Sequence, residues 1–174
     1  MKIDSKKLMD LFVKDKKLNI SSYYLKPGFA YGGSCLSKDL ESLNTIINKF
    51  KVTAPILSNV SLSNEIHIDY IADRIIKEQK DKVGIYGLAF KAGTADLRSS
   101  ASLDLAEILI KKNIDLTIFD SNLNKESLLC DSSISEIHNI IYNQLEPSLE
   151  NFAKSLDILV LINIDDNIED LLFH

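Results

Sequence analysis

Cysteine and histidine are scarce: two cysteines and three histidines in 174 residues, with no tryptophan. Cys35 and Cys130 show no metal-ligand spacing and are too few for a disulfide framework, so a reducing compartment is expected. His67, His138 and His174 are scattered, and no metal site is expected. With six glycines and three prolines the chain has no Gly/Ser linker, no repeat and no low-complexity tract. No apolar run reaches the roughly 18 residues that would mark a membrane span. The N-terminal MKIDSKKLMDLFVKDKK also lacks the apolar core of a signal peptide. The cytoplasm is the expected location. Positive charge is not in excess either: 20 Lys and Arg face 25 Asp and Glu, for a net charge of −5. That argues against nucleic acid as the main partner, while a local basic pocket for one nucleotide remains open.

What is present is a folded composition, 45% hydrophobic and 26% charged. The first half reads as helix and loop. An amphipathic helix is expected over residues 3–13, then a polar loop to Tyr24 and the glycine turn GFAYGG. A further helix is predicted to begin just after Cys35 with Ser37 as its N-cap, carrying Leu40, Leu43, Ile46, Ile47 and Phe50 at helical spacing. Pro55 opens a long helix with an apolar stripe running to about Lys80. From Asp81 the pattern changes. KVGIYGLAF, IDLTIFD and LDILVLIN read as buried strands, with ASLDLAEILIKK and a segment around ISEIHNIIYN as helices between them. This alternation is the parallel α/β pattern. The expected organisation is a helical segment, 1–80, followed by an α/β domain, 81–174, which ends early for a doubly wound sheet and is expected to be truncated.

Three stretches carry chemistry. Cys35 lies within a turn of a helix start, where unpaired N–H groups and the macrodipole favour an anion, with Lys38 nearby. Position alone leaves two readings open, a reactive thiol and a small buried cysteine. Asp39 reads either as a first-turn acid complementing the dipole or as a group that orients a water or the thiol. GIYGLAFKAGTADLR, residues 84–98, is not a GxGxxG fingerprint, yet it leaves a strand for a helix, where open α/β sheets take ligands. Its Lys91 and Arg98 could each hold a phosphate or carboxylate. Asp120, at the end of the second strand, reads as a strand-ending turn residue.

Two stretches taken together point further. YYLKPGFAYGGSCLSKDL resembles the active-site segment of the UDP-glucose/GDP-mannose dehydrogenase family, and KVGIYGLAFKAGTADLRSS resembles the start of that family's C-terminal domain. The resemblance covers nearly the whole chain and is strongest to members acting on GDP-mannose. It implies a central helical dimerisation segment with a catalytic-cysteine loop, followed by a Rossmann-like parallel α/β nucleotide-sugar-binding domain. The NAD-binding N-terminal domain of such enzymes has no counterpart here. The implied activity is NAD-dependent oxidation of a sugar C6 alcohol to a carboxylate, in polysaccharide precursor synthesis. Carried over by position, Cys35 is the nucleophile and Asp39 assists hydrolysis. Tyr23, Tyr24, Lys26, Phe29, Gly32 and Lys91 contact the nucleotide sugar, and Lys38 and Arg98 contact NAD. The chain departs from the pattern in Lys26 for a commoner Arg, Ser37 for Pro, Ala95 for Asp and Ser99 for Glu. A homodimer through the helix near residues 55–80 is expected, with no nucleic acid or membrane partner. Two other classes remain. One is a non-catalytic module that dimerises and binds a nucleotide sugar. The other is a cysteine hydrolase or acyltransferase, for which no histidine partner is legible.

Overall fold

The computed structural model describes residues 3–19, 21–22, 25–129, 135–154, 156–163 and 168, the side chains of Ser127 and Leu129 apart. Four helices come first: α1 (Ser5–Phe12), α2 (Ser34–Lys49), α3 (Pro55–Ser58) and α4 (Val60–Lys77). The α/β part follows as β1 (Lys82–Tyr86), α5 (Ala101–Lys111), β2 (Asp115–Phe119), α6 (Lys125–Leu129), α7 (Glu136–Asn143), α8 (Leu149–Ala153) and β3 (Ile158–Leu161).

The three strands form a parallel sheet in the order β2-β1-β3. Val83 stands opposite Leu116 on one side and Ile158 on the other. The central strand is buried from Val83 to Tyr86, which is why it reads as a continuous apolar run and not as an alternation. One core cluster joins Val83 and Ile85 of β1 to Leu105, Ala106 and Leu109 of α5 and to Ile141 of α7. A second, aromatic cluster holds Tyr86, Phe119 and Phe152. Tyr86 and Phe119 stack at 5.4 Å. The helical half enters the same core through α4, whose Ile68, Ala72 and Ile75 are buried in the cluster of β1 and α5. Each buried isoleucine removes apolar surface worth about 1.5–3 kcal/mol, so α4 is anchored to the sheet domain by packing.

Two helix boundaries differ from the sequence expectation. α2 begins at Ser34, with Gly33 as N-cap, instead of after Cys35 with Ser37 as cap. Gly33 turns the chain at φ 97°, and its carbonyl already accepts from the Ser37 N–H, so the cap lies four residues earlier than expected and Cys35 falls in the first turn. The long helix expected from Pro55 is broken once, at Asn59. The Asn59 Nδ2 donates to the Pro55 carbonyl at 2.7 Å, taking the bond that its own main-chain N–H would make in an unbroken helix.

Candidate active site

The thiol loop, residues 28–33, is held at three points. Asn64 of α4 grips Tyr31 from both sides: the Tyr31 N–H donates to Oδ1 and Nδ2 donates to the Tyr31 carbonyl, each at 2.9 Å. The Gly33 N–H donates to the Ser99 carbonyl at 2.9 Å. Phe29 packs half-buried on the core and meets His67 edge-on at 6.0 Å. The last two glycines are needed for this close approach. A Cβ on Gly32 would stand 2.6 Å from the Ser99 carbonyl oxygen, and one on Gly33 would stand 2.9 Å from the Phe90 ring. The result is a thiol loop seated directly on the β1–α5 connection.

That connection is itself braced. The Asp120 Oδ2 accepts from the Leu88 and Ala89 N–H groups, both at 2.9 Å, and Oδ1 accepts from the Asn122 N–H. The Ser100 hydroxyl donates to the Leu88 carbonyl at 2.6 Å, and the Asn163 Nδ2 donates to the Ala89 carbonyl at 2.8 Å. Two amides at the end of β1, those of Leu88 and Ala89, are therefore occupied by the chain's own carboxylate. Asp120 is a turn-fixing residue, as its place at the end of β2 implied.

Cys35 is exposed in the first turn of α2, which removes the buried reading. The first-turn N–H groups of a helix have no intrahelical acceptor and favour negative charge nearby. Lys38 and Asp39 lie three and four residues on, on the same side of α2 as the thiol, and both are exposed. The segment before α2 is joined, through the Gly33–Ser99 hydrogen bond, to the loop carrying Lys91 and Arg98. Lys91 is exposed beside Phe90, and its carbonyl accepts from the Thr94 hydroxyl. Arg98 is bound to Asp96, its Nη2 donating to Oδ2 at 2.7 Å. The hydrogen bonds from Arg98 hold the Asp96 carboxyl down at about 2, and in return raise the guanidinium above its ordinary value.

Of the residues singled out in the sequence, Gly32, Cys35, Lys38, Asp39 and Arg98 gather at the junction of the two motifs, with Lys91 on the same loop as Arg98. Lys26 stands apart, on a cleft of about 610 Å³ that it shares with Met9 and Val13 of the α1 region. Tyr23 and Tyr24 lie outside the described residues. Sequence reading did not single out Asn64 or Asp96. Their partners are fixed by the folded chain, although Asp96 in the D-x-R spacing of ADLR was the one local signal. Among the described residues no group of three His, Cys, Asp or Glu side chains could hold a metal ion, and no helix is long and apolar enough to cross a membrane.

An exposed helix-start cysteine docked on a Rossmann-like parallel α/β unit defines the class, and comparison with known proteins supplies the family. Residues 1–66 match the UDP-glucose/GDP-mannose dehydrogenase family, central domain, and residues 84–174 match its UDP binding domain. The chain belongs to the UDP-glucose/GDP-mannose dehydrogenase family. It is 39% identical to the GDP-mannose 6-dehydrogenase of Pseudomonas aeruginosa, over 97% of this chain and 39% of that enzyme. Against the UDP-glucose 6-dehydrogenase of Streptococcus pneumoniae the identity is 30%, with the same coverage. A solved ternary complex of the Pseudomonas aeruginosa GDP-mannose dehydrogenase superposes with a TM-score of 0.76 at 39% identity, over 97% of this chain and 39% of that one. The chain thus spans about two fifths of the length of the curated relatives it matches.

Proposed function

We propose that the chain is the thiol-bearing and nucleotide-sugar-binding portion of an NAD-dependent nucleotide-sugar 6-dehydrogenase, with GDP-mannose as substrate and GDP-mannuronate as product. The product would serve as a polysaccharide precursor, and the protein would work in the cytoplasm. The observation that carries this reading is the exposed Cys35 at the start of α2, held against the β1–α5 loop by the Gly33–Ser99 hydrogen bond.

NAD, when bound, supplies the hydride acceptor for both oxidations. This chain offers Lys38 and Arg98 as exposed cations toward it, while the β1 turn is already filled by Asp120; the rest of an NAD site would lie outside these residues. Once the C6 alcohol has become an aldehyde, the Cys35 thiolate adds to the carbonyl carbon and the carbonyl electron pair moves to oxygen. The first-turn N–H groups of α2 and the Arg98 cation would stabilise the charge on that oxygen. Addition gives a thiohemiacetal, a tetrahedral centre able to release hydride, which an aldehyde lacks. Loss of hydride and of the hydroxyl proton leaves a thioester on Sγ. Water then attacks, Asp39 accepts its proton, the C–S bond breaks, and carboxylate and thiol result. Lys91 suits the diphosphate, and Tyr23, Tyr24, Phe29 and Gly32 the remainder of the nucleotide sugar; Lys26, on its separate cleft beside α1, keeps a substrate role by position in the motif alone. Lysine for arginine at position 26 gives a point charge where a fork would grip two oxygens.

A second reading, a dimerising module that binds a nucleotide sugar without turnover, has its own support. Leu43, Ile46 and Phe50 form an exposed apolar stripe on α2, and Leu62, Ile66 and Tyr70 form another on α4. Both readings include a homodimer through the helix near residues 55–80, which sedimentation at micromolar concentration tests. Thermal unfolding with GDP-mannose, UDP-glucose and NAD in turn tests binding. A nucleotide sugar at 100 times its dissociation constant stabilises by about 2.7 kcal/mol, a shift of roughly 5–10 °C for a chain of this size. Selective stabilisation by GDP-mannose is expected. A larger shift with UDP-glucose would overturn the choice of substrate, and no shift with either sugar would overturn the reading of this portion as the nucleotide-sugar site.

A further inference from the structure

Asp96 gives its whole carboxylate to one residue. Oδ1 accepts from the Arg98 main-chain N–H at 3.0 Å and from Nε at 2.9 Å, and Oδ2 accepts from Nη2 at 2.7 Å. The arginine side chain is 75% exposed and the aspartate 27%, so the pair adds little to folding. What a two-pronged grip does fix is direction. The next residue, Ser99, takes a left-handed φ of 51° and turns its carbonyl onto the Gly33 N–H at 2.9 Å. Gly33 is the N-cap of the helix that carries Cys35. The gripped cation and the thiol therefore stand on two segments pinned together one residue after Arg98 and two residues before Cys35.

We propose that Asp96 is a positioning residue, which holds the Arg98 guanidinium beside the Cys35 thiol so that a fixed cation faces negative charge formed there. The purpose of this arrangement rests on reading Cys35 as the nucleophile; its geometry does not.

The test compares alkylation of Cys35 by iodoacetate, an anion, with alkylation by iodoacetamide, a neutral reagent of nearly the same shape. Peptide mass mapping of the full chain separates Cys35 from Cys130. The ratio of the two rates cancels exposure and thiolate fraction, which act on both reagents alike. Lys38 and Asp39 add a background common to all variants. By charge count alone, Asp96→Asn removes a negative charge and raises the ratio. If Asp96 holds Arg98 in place, release of the cation outweighs this and the ratio falls, by about twofold at low ionic strength. Arg98→Gln is expected to lower it by about threefold. Arg98→Lys, which keeps the charge without the fork, should also lower it. A ratio that rises or holds in Asp96→Asn overturns the proposal, as does one unchanged in Arg98→Gln. Should circular dichroism show Asp96→Asn unfolded, an unchanged ratio in Arg98→Lys overturns it instead. None of these readings needs turnover. A ratio that falls as expected in a chain that binds no nucleotide sugar would refute only the proposed function. A risen ratio in a chain that does bind one would refute only the role of Asp96.

Discussion

Replacing Asn64 by leucine removes two hydrogen bonds at one stroke while keeping a side chain of similar size. Both bonds go to the main chain of Tyr31, at 2.9 Å each, across 33 positions of sequence. A fully buried main-chain group left without its partner costs about 1–3 kcal/mol. Tyr31 and Asn64 are half-buried, so water recovers part of the loss, and the lower end applies to each bond. The expected sum is about 2 kcal/mol, equivalent to a fall in Tm of roughly 4–8 °C if the loop unfolds with the rest of the chain. Hydrogen exchange at the Tyr31 amide should accelerate, because Oδ1 is its acceptor. Asn64→Asp separates the two bonds. It keeps the acceptor for the Tyr31 N–H but sets a carboxylate against the Tyr31 carbonyl, which raises the pKa of the introduced carboxyl above its unfolded value of about 3.9. The stabilising, protonated form is then fully present below that unfolded value and is lost as pH rises through the folded one. Asn64→Asp should therefore approach the parent in stability near pH 3 and fall behind it at pH 7. A Tm within about 1 °C of the parent for Asn64→Leu, together with unchanged exchange at Tyr31, would refute the claim that Asn64 anchors the thiol loop.

Other outcomes follow from the same geometry. Gly33→Ala places a Cβ 2.9 Å from the Phe90 ring at a φ of 97°, so thermal unfolding should show a loss of about 1–3 kcal/mol, with faster proteolysis in the thiol loop. Asp104 on α5 is partly desolvated, and this, reinforced by Glu107, raises its carboxyl pKa. Because the folded pKa lies above the unfolded one, this group favours the folded state below the unfolded pKa, and the benefit disappears as pH rises through the folded value. Asp104→Asn should accordingly be neutral or slightly stabilising at pH 7 in urea unfolding, and a clear loss there would contradict the direction of the shift.

The sheet was legible because its strands are apolar runs rich in β-branched residues, and its central strand β1 is buried from Val83 to Tyr86. Cys35 was legible from its glycine neighbours and from the helical spacing that follows. The start of α2 was not. Ser37 is a good N-cap by residue type, but the cap is set by Gly33, whose conformation depends on docking against Ser99 and Phe90, more than 50 residues away. The break at Asn59 was hidden for a local reason, since a side-chain amide replaces one main-chain bond and the apolar stripe runs on past it. Asn64 and the amide grip of Asp120 were invisible because their partners, Tyr31 and Leu88–Ala89, are neighbours only in the folded chain.

The central claim is that Cys35 carries the second half of an alcohol-to-carboxylate oxidation. The most direct test grafts this chain in place of the matching 39% of the Pseudomonas aeruginosa GDP-mannose 6-dehydrogenase and counts NADH formed per GDP-mannose consumed, with and without Cys35→Ser. The account expects two NADH and a carboxylate product from the graft, and loss of the carboxylate in the Cys35→Ser graft while GDP-mannose still binds. Two NADH per sugar from Cys35→Ser at the unsubstituted rate would contradict it.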